Sequence, residues 1–564
     1  VPSRHRSLRA VFEHSWNLLS QTERAVFQQL SLFRGGFFQP AAQATAGASP
    51  AMLAALVDKS LLRVDAQQRY YAHQLLRQYA AEKLSQQPEV EESAFIQYSV
   101  YYANFLQERA PALKGPGQAA AIAEIGLEID NVRRIWNRAA RQAEAGKQAD
   151  LALKTLRRAA EALFLFYLLR DWHQEGRDAF NRAAAALQPP SSRREQRERK
   201  RLRAELLAYQ ARFCQFTAYS EQAQPLFEQS LSIFEELGDA AARAFSLHGL
   251  GYAAHTAGNY RQAKAYFLQS LQLYETRDDA WGTANALNGL SLVMRRQGKF
   301  QQAEAYARRS LNITRSMGEQ RGIATSHNNL GLIYCAIGKY AQARTTLQEG
   351  LKISRRLNYQ VGIANAYTGL CQAAFRLSEA TQAEKFGRQS LNIYQEIGDY
   401  WGAAIALNNL GQMAMELGQY AKAQKLYAEG IAIYRRIGIK SGLANSLGGL
   451  GKARCHLNDF EGAKQALAEA LQLALDIQTR PIALDILLTV AVLWQKEGRA
   501  RQSLELLAFI KESSANLDAV REEAAALFAD YARNLPAQIV TAAEAQSPKQ
   551  AFNDVTATVL TALF

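Results

Sequence analysis

A period of 40 residues constrains this chain more than anything in its composition. The pairs Leu250-Gly251, Leu290-Ser291, Leu330-Gly331, Leu370-Cys371, Leu410-Gly411 and Leu450-Gly451 recur at that spacing without slippage. Eight positions after each leucine stand Gly258, Gly298, Gly338, Ser378, Gly418 and Asn458. Two further on come Tyr260, Phe300, Tyr340, Ala380, Tyr420 and Phe460. Alanines 263, 303, 343, 383, 423 and 463 follow, and then Leu271, Leu311, Leu351, Leu391, Ile431 and Leu471. Inside one unit, Ile323, Leu330, Ile333, Tyr334 and Ile337 fall near helical spacing, as do Tyr340, Ala343, Leu347, Leu351 and Ile353. Gly338 between them can take the left-handed backbone that ends a helix cheaply. Each unit is therefore predicted to be a helical hairpin, with Gly331 and Ala343 small enough for close approach. Neither helix can bury its apolar stripe alone, so the units must stack into an α-solenoid with a concave inner face. The aromatic stripe Tyr260, Phe300, Tyr340, Tyr420 and Phe460 is read as core. A weaker unit precedes the array (Trp172, Gly176, Phe180, Ala183), and another follows it (Leu487, Ala491, Gly498, Ser503, Leu507).

Composition excludes several other classes. Of 564 residues 48% are apolar and only 12 are proline, so the chain can bury a large core and is not disordered. Four cysteines, Cys214, Cys335, Cys371 and Cys455, form no CxxC and no Cys/His metal spacing, which fits a reducing compartment. The most apolar run, 162–169, is less than half of the ~18–20 residues that span a bilayer. Arg4, His5, Arg6 and Arg9 lead into no apolar signal segment. The expectation is a soluble cytoplasmic protein without a membrane partner. Val1 in place of an initiator methionine suggests a piece of something longer.

The Leu-Gly-x-x-Tyr, Gly-x-Tyr and Ala pattern resembles the tetratricopeptide (TPR) repeat, and the 40-residue period resembles the long-helix TPRs of signalling proteins and bacterial sensors. The resemblance implies a mainly all-α fold with a right-handed TPR solenoid over residues 204–480. Residues 151–203 are read as a TPR-like hairpin and basic linker, and 481–564 as a degenerate repeat and helical cap. The linker holds Pro189-Pro190-Ser191-Ser192 and then Arg193, Arg194, Arg197, Arg199, Lys200, Arg201 and Arg203 among Glu195, Glu198 and Glu205. A solvated helix with i,i+4 ion pairs is the favoured reading of that run, and an anionic contact is the alternative.

Residues 1–88 have another texture. Helical stripes at Leu8, Val11, Phe12, Trp16 and Leu19 and at Val26, Phe27, Leu30 and Leu32 flank Ser20, which with Glu23 forms a capping box. A small-residue helix and a helix over Met52–Val57 follow. A hairpin then turns at Asp65-Ala66-Gln67-Gln68, and a last helix begins at Gln74. Three helices, a small β-wing and a closing helix make a winged helix. "HRSLRAVFEHSWNLL", "LSLFRGGF", "LVDKSLL" and "RYYAHQLLRQYA" resemble the domain that follows the nucleotide-binding core of STAND (NB-ARC/NACHT-like) signal-transduction ATPases. Residues 89–150, with "GLEIDNVRRIWNRA", resemble the helical spacer of that family. In the family a Met-His-Asp-like motif places a histidine on the β-phosphate of ADP. The same place here reads Ala72-His73-Gln74, so the resemblance makes His73 an ADP latch while its neighbours depart from the pattern.

No Gly-x-x-x-x-Gly-Lys-Ser/Thr loop, HExxH or Gly-x-Ser-x-Gly occurs, so the chain is read as a non-enzyme. The resemblance places an ATPase core, with its ADP or ATP, N-terminal to Val1. No cofactor or metal is expected in the chain itself. The TPR resemblance also assigns an inner-face register: Asn285, Asn288, Asn328, Asn329, Asn365, Asn408, Asn409 and Asn445, with His255, Arg295, Arg296, Arg376, Gln372 and Gln412 along the same helices. Asparagine is unfavourable inside a helix by a few tenths of a kcal/mol or more, so its recurrence points to other work. One possibility is a donor and acceptor for a protein, peptide or small-molecule inducer. The other is bonding to the adjacent inner helix. The reading that unites these features is the sensor half of a STAND-type regulator, partnered by the nucleotide-binding domain and oligomerising on activation. A DNA-binding winged helix, for which a surplus of 14 positive charges speaks, and a passive interaction scaffold are the alternatives.

Overall fold

A computed structural model describes residues 13, 16–187, 193–217, 219–513, 518–533, 535–546 and 551–563. Leu8, Val11 and Phe12 of the expected first helix, the 189–192 turn, and the side chains of Arg193 and Arg194 lie outside the described residues. The chain divides into two compact units, Val1–Gln210 with Ser232–Gly238, and Ala211–Leu231 with Asp239–Phe564.

In the first unit, α1 (Gln21–Leu30) opens on the expected capping box. The Glu23 amide donates to Ser20 Oγ at 3.2 Å, and the Ser20 amide donates to the Glu23 carboxylate at 2.7 Å. Then come β1 (Gly36–Phe37), α2 (Gln39–Ala46), α3 (Pro50–Asp58), β2 (Leu62–Val64), β3 (Tyr70–Ala72) and α4 (Gln74–Ser85). The expected hairpin is β2–β3, and Asp65 Oδ1 holds its turn by accepting from the amides of Gln67 and Arg69. A third strand, β1, pairs antiparallel with β3 and makes the sheet order β1-β3-β2. Two residues are too few for an alternation pattern, so this strand has no sequence signature. Helices α5 (Pro88–Leu113), α6 (Gln118–Leu127), α7 (Ile129–Glu144), α8 (Ala149–Leu169) and α9 (His173–Ala186) complete the unit, and α10 (Arg193–Cys214) straddles the division.

A buried polar knot ties the sheet to α5 and α7. Arg69 of the hairpin pairs with Glu128 at 2.9 Å, both side chains under 5% exposed, and donates to the Gly36 carbonyl at 2.6 Å. The Tyr102 hydroxyl and Asn131 Nδ2 donate to Glu128 at 2.5 and 2.6 Å. Asn131 also donates to Gly36 O, and its Oδ1 accepts from the Arg34 amide and the Tyr98 hydroxyl. Burial pushes the Glu128 carboxyl up, against the opposing pull of Tyr102, Arg69 and Asn131.

The second unit holds the periodic hairpins. After α11 (Ala223–Glu236), which also straddles the division, the pairs are α12 (Ala240–Thr256) and α13 (Tyr260–Glu275), α14 (Ala280–Arg296) and α15 (Phe300–Met317), and α16 (Gln320–Ala336) and α17 (Tyr340–Arg356). They continue with α18 (Gln360–Arg376) and α19 (Ala380–Glu396), α20 (Tyr400–Glu416) and α21 (Tyr420–Ile437), and α22 (Lys440–His456) and α23 (Phe460–Asp476). The weaker last unit is α24 (Arg480–Lys496) and α25 (Ala500–Glu512), and α26 (Asp518–Ala532), α27 (Ala537–Gln546) and α28 (Phe552–Leu563) follow. The turn inside each hairpin carries the left-handed residue expected of it, including Ser378 and Asn458 at φ 66° and 61° where glycine is missing. A second left-handed series, Gly238, Asp278, Gly318, Asn358, Gly398, Gly438 and Gln478, makes the turns between hairpins.

The packing key is not the aromatic stripe. Tyr260, Phe300, Tyr340, Tyr420 and Phe460 are half-buried at the turn, and Tyr260, Phe300 and Phe460 pack against the edge of the core in place of its centre. The deep wedges lie seven residues further on, at Phe267, Leu347 and Tyr427, each seated against two glycines. A Cβ on Gly331 or Gly369 would come within 2.4 or 2.7 Å of Leu347, and one on Gly289 within 2.4 Å of Phe267. Where the wedge shrinks to Ala307 or Gly387, the position 22 residues on is Asn329 or Asn409 in place of glycine. Facing positions thus trade volume, which is how close-packed interfaces are kept filled.

Candidate ligand-binding face

First helices of successive hairpins pack against one another, so the wall curves with α12, α14, α16, α18, α20 and α22 on its inside. The curvature brings distant repeats together. Ser441 Oγ donates to the Thr256 carbonyl at 3.0 Å across 185 residues, and Ser220 Oγ donates to the Ile437 carbonyl at 2.9 Å across 217. The field of Arg296 likewise reaches Tyr434, three hairpins later. The first helices therefore line a strongly curved inner face.

The asparagines do not line it uniformly. Asn288 is buried, and its Oδ1 accepts from Asn329 Nδ2 (3.2 Å) and Ser326 Oγ (3.5 Å). Asn328 Nδ2 donates to the Gly362 carbonyl in the next first helix at 3.0 Å. Asn408 Oδ1 accepts from Ser446 Oγ at 2.7 Å, Asn365 Oδ1 from the Tyr394 hydroxyl at 2.8 Å, and Asn285 Nδ2 donates to Trp281 O in its own helix. Each of these six amides makes at least one hydrogen bond within the protein, while Asn328 Oδ1 stays buried without a partner among the described residues. Arg376 pairs with Glu416 at 2.7 Å and Gln412 reaches the same carboxylate at 3.3 Å, both as solvent-exposed contacts.

What remains is a smaller set. Asn409 Nδ2 is buried without a partner, and the exposed Asn445 and half-buried Gln372 make no hydrogen bond among the described residues. His255 is 6% exposed, yet both ring nitrogens lack partners, and its ring lies 5.7 Å from that of Tyr260. Burial, then Arg296 and Arg295, press its pKa down to about 3. Burial and the adjacent Arg296 bring Arg295 down to about 9.

The sequence reading missed a second group beside these. Arg212 lies 4.8 Å over the rings of both Tyr252 and Phe216 and donates to Gln215 at 2.8 Å. His248 stacks edge-on to Tyr252 and Phe267, and burial together with Arg212 presses its pKa to about 3 as well. Arg321 covers the Tyr359 ring at 3.9 Å. His248 occupies the same repeat position as Asn288, Asn328 and Asn408, so the 40-residue register could have found it.

His73 belongs to the first unit. It is exposed at the junction of β3 and α4, where its Nδ1 caps the helix by accepting from the Leu75 amide at 3.4 Å. That bond engages Nδ1, and Nε2 makes no hydrogen bond among the described residues. Among the described residues, no three His, Cys, Asp or Glu side chains converge into a metal site, and no helix is long and apolar enough to cross a membrane.

Tetratricopeptide-repeat family profiles match residues 203–276, 283–317, 322–396, 362–436 and 402–476, and these segments are TPR repeats. Candidate HTH-type transcriptional regulators of Mycobacterium bovis and Mycobacterium tuberculosis are 35% identical over 148 residues, 24% of this chain. The chain spans only 16% of the length of those relatives. Among solved structures, a Pyrococcus horikoshii STAND protein with a TPR sensor aligns at 15% identity, over 84% of this chain and 67% of that one, with a TM-score of 0.45. A Rap protein complexed with Competence and Sporulation Factor aligns at 16% identity, over 64% and 96%, with a TM-score of 0.49.

Proposed function

We propose that this chain is the ligand-sensing and autoregulatory half of a STAND-type regulator. The TPR solenoid receives an inducer, a peptide, protein segment or small molecule, on its inner face. The occupied solenoid then biases the nucleotide state through a winged helix formed by residues 1–88. The observation that carries this reading is a contrast within one wall. Most inner polar side chains are bonded into the scaffold, whereas His255, Arg295, Arg296, Gln372, Asn409 and Asn445 make no hydrogen bond among the described residues. Buried polar groups left unbonded are costly, and a ligand that satisfies them recovers that cost on binding. The differential affinity so gained is what can shift a population between a resting and an active state. In the first unit, His73 would offer its Nε2–H to a phosphate of ADP held by a nucleotide-binding domain.

The test is a thermal-shift and pull-down screen of the full chain against peptides, proteins and oligosaccharides. Binding that weakens on Asn409→Ala or Gln372→Ala but not on Asn288→Ala supports the reading. A ligand insensitive to all inner-face changes overturns it. A second reading, direct DNA contact by the first unit, draws on Arg34 and Arg77, which repel one another and have no acidic partner among the described residues. Strong, salt-steep binding of random duplex would favour it.

A further inference from the structure

We infer that the inner face at the first two full hairpins is an oxyanion site, in which His255, Arg295 and Arg296 receive a carboxylate or phosphate of the ligand. The inference rests on the sensing role and adds the chemistry of what is sensed: the inducer carries an anionic group at one end.

Three observations support it. His255 and Arg295 occupy one repeat position, whose later occupants are Cys335, Phe375, Met415 and Cys455. Ionisable nitrogen is thus confined to one end of the interior column. The neighbouring position holds Arg296 and then Arg376, and the two meet different surroundings. Arg376 finds Glu416 one repeat further along its own column, while the positions flanking Arg296 are Thr256 and Ala336. Arg296 has no acid at the flanking positions of its column, and among the described residues it forms no ion pair. On second helices Arg308, Arg309, Arg344, Arg388 and Arg435 are ion-paired, while Arg315, Arg355, Arg356 and Arg436 meet His327, Tyr367, Gln320 and the Tyr400 ring instead. Arg295 and Arg296 differ from these in making no hydrogen bond or ring contact of their own among the described residues.

The third observation is His255 itself. A ring 94% buried with neither nitrogen bonded is a donor and an acceptor withheld from the scaffold. Among the described residues the charges that bear on it are Arg296 and Arg295, with no carboxylate beside them. Arg295 Nε is likewise buried and unbonded. Two guanidinium forks beside an imidazole on a concave wall match the planar or tetrahedral oxygens of a carboxylate or phosphate. The surrounding protein also strengthens such an attraction relative to open water.

The experiment titrates the full chain by calorimetry with inorganic phosphate, and with acetyl-trialanine as free acid and as C-terminal amide, at constant ionic strength. The free acid or phosphate, but not the amide, is expected to bind, and R295Q/R296Q should weaken that binding ~10-fold or more. R308Q/R309Q, on the second helix, should leave it unchanged. Binding of phosphate alone identifies a phosphorylated inducer, and binding of the free acid alone a carboxylate. Because Arg296 is exposed, R296Q by itself keeps the test valid if the double variant fails to fold. Equal binding to wild type and R296Q, or no binding to wild type at ~20 mM, overturns the site. A screened inducer that ignores R296Q leaves the sensing role standing without the oxyanion site. Phosphate held at the arginines with no inducer found leaves the site without the role.

Discussion

Acidification from pH 7 to pH 5 should loosen the first hairpins of the solenoid, and two histidines set the size of the effect. His248 and His255 are each 6% exposed and neutral in the folded chain, with pKa values pressed to about 3. In the unfolded chain a histidine titrates at about 6.5. Between these values the unfolded state binds protons that the folded state refuses. The stability each contributes is therefore whole above pH 6.5 and lost progressively as pH falls toward 3. At 1.36 kcal/mol per pKa unit, the interval from pH 7 to 5 covers about 2 kcal/mol for each ring. Together they remove about 4 kcal/mol, a large share of the stability of an ordinary domain.

The assay is hydrogen exchange of the 240–256 segment in the full chain at pH 7, 6 and 5, for wild type, His248→Phe and His255→Phe. Phenylalanine keeps a flat ring beside Tyr252 or Tyr260 and removes the titration, together with both unbonded nitrogens of His255 and, at His248, an unbonded Nε2 and a hydrogen bond with the Asn285 backbone. Each variant should lose about 2 kcal/mol less than wild type over the interval. His327 and His456, also held low by burial, are common to all three proteins and cancel in the comparison. The lowered carboxylates Glu304 and Glu384 lose their contribution only as pH falls below the ordinary carboxylate range, outside the window. Parallel pH profiles for the three proteins would refute the reasoning, since they would mean that neither ring resists protonation.

Three further outcomes are expected. Leu347→Ala should cost ~2–5 kcal/mol by denaturant melt, and Gly369→Ala should destabilise despite the ~1 kcal/mol helix-propensity gain, because its Cβ would meet Leu347. Arg69→Ala should cost ~3–5 kcal/mol by leaving Glu128 charged and buried, and the double change with Glu128→Gln should recover part of it in the same melt. Ser220→Ala with Ser441→Ala should speed amide exchange around 437–441 while leaving the helical circular dichroism unchanged, because it breaks contacts between repeats and none within them.

The hairpins, their number and their inner turns were legible because a 40-residue period repeats the same local physics six times. A left-handed turn residue and a small-residue contact read the same in every copy. The wedge was harder to see. Its occupants run Phe267, Ala307, Leu347, Gly387 and Tyr427, and only the glycines facing the large ones reveal that one position is being filled. The asparagine set was only partly legible for a related reason. An amide in an inner helix marks a position that faces another polar group, and register alone does not say whether that group belongs to the next helix or to a ligand. Asn288 meets Asn329 and Asn408 meets Ser446, so the neighbour is the partner. Strand β1 escaped because two residues carry no period, and its pairing is fixed by distant contacts at Arg69 and Asn131.

Those contacts bear on how the first unit can move. A buried ion pair is weak evidence for net stability, because desolvation offsets most of the attraction, but it is demanding about geometry. Glu128 is met by Arg69 from the hairpin, Tyr102 from α5 and Asn131 from α7, and Gly36 of β1 accepts from both Arg69 and Asn131. Sliding the sheet against α7 would break several charge-assisted bonds at once inside a site that water does not reach. Small displacements are therefore resisted more steeply than an apolar contact of equal area would resist them. Arg69 immediately precedes β3, and His73 immediately follows it. The ring at the end of that strand is consequently held in the frame of α5 and α7, and a displacement of those helices carries His73 with them.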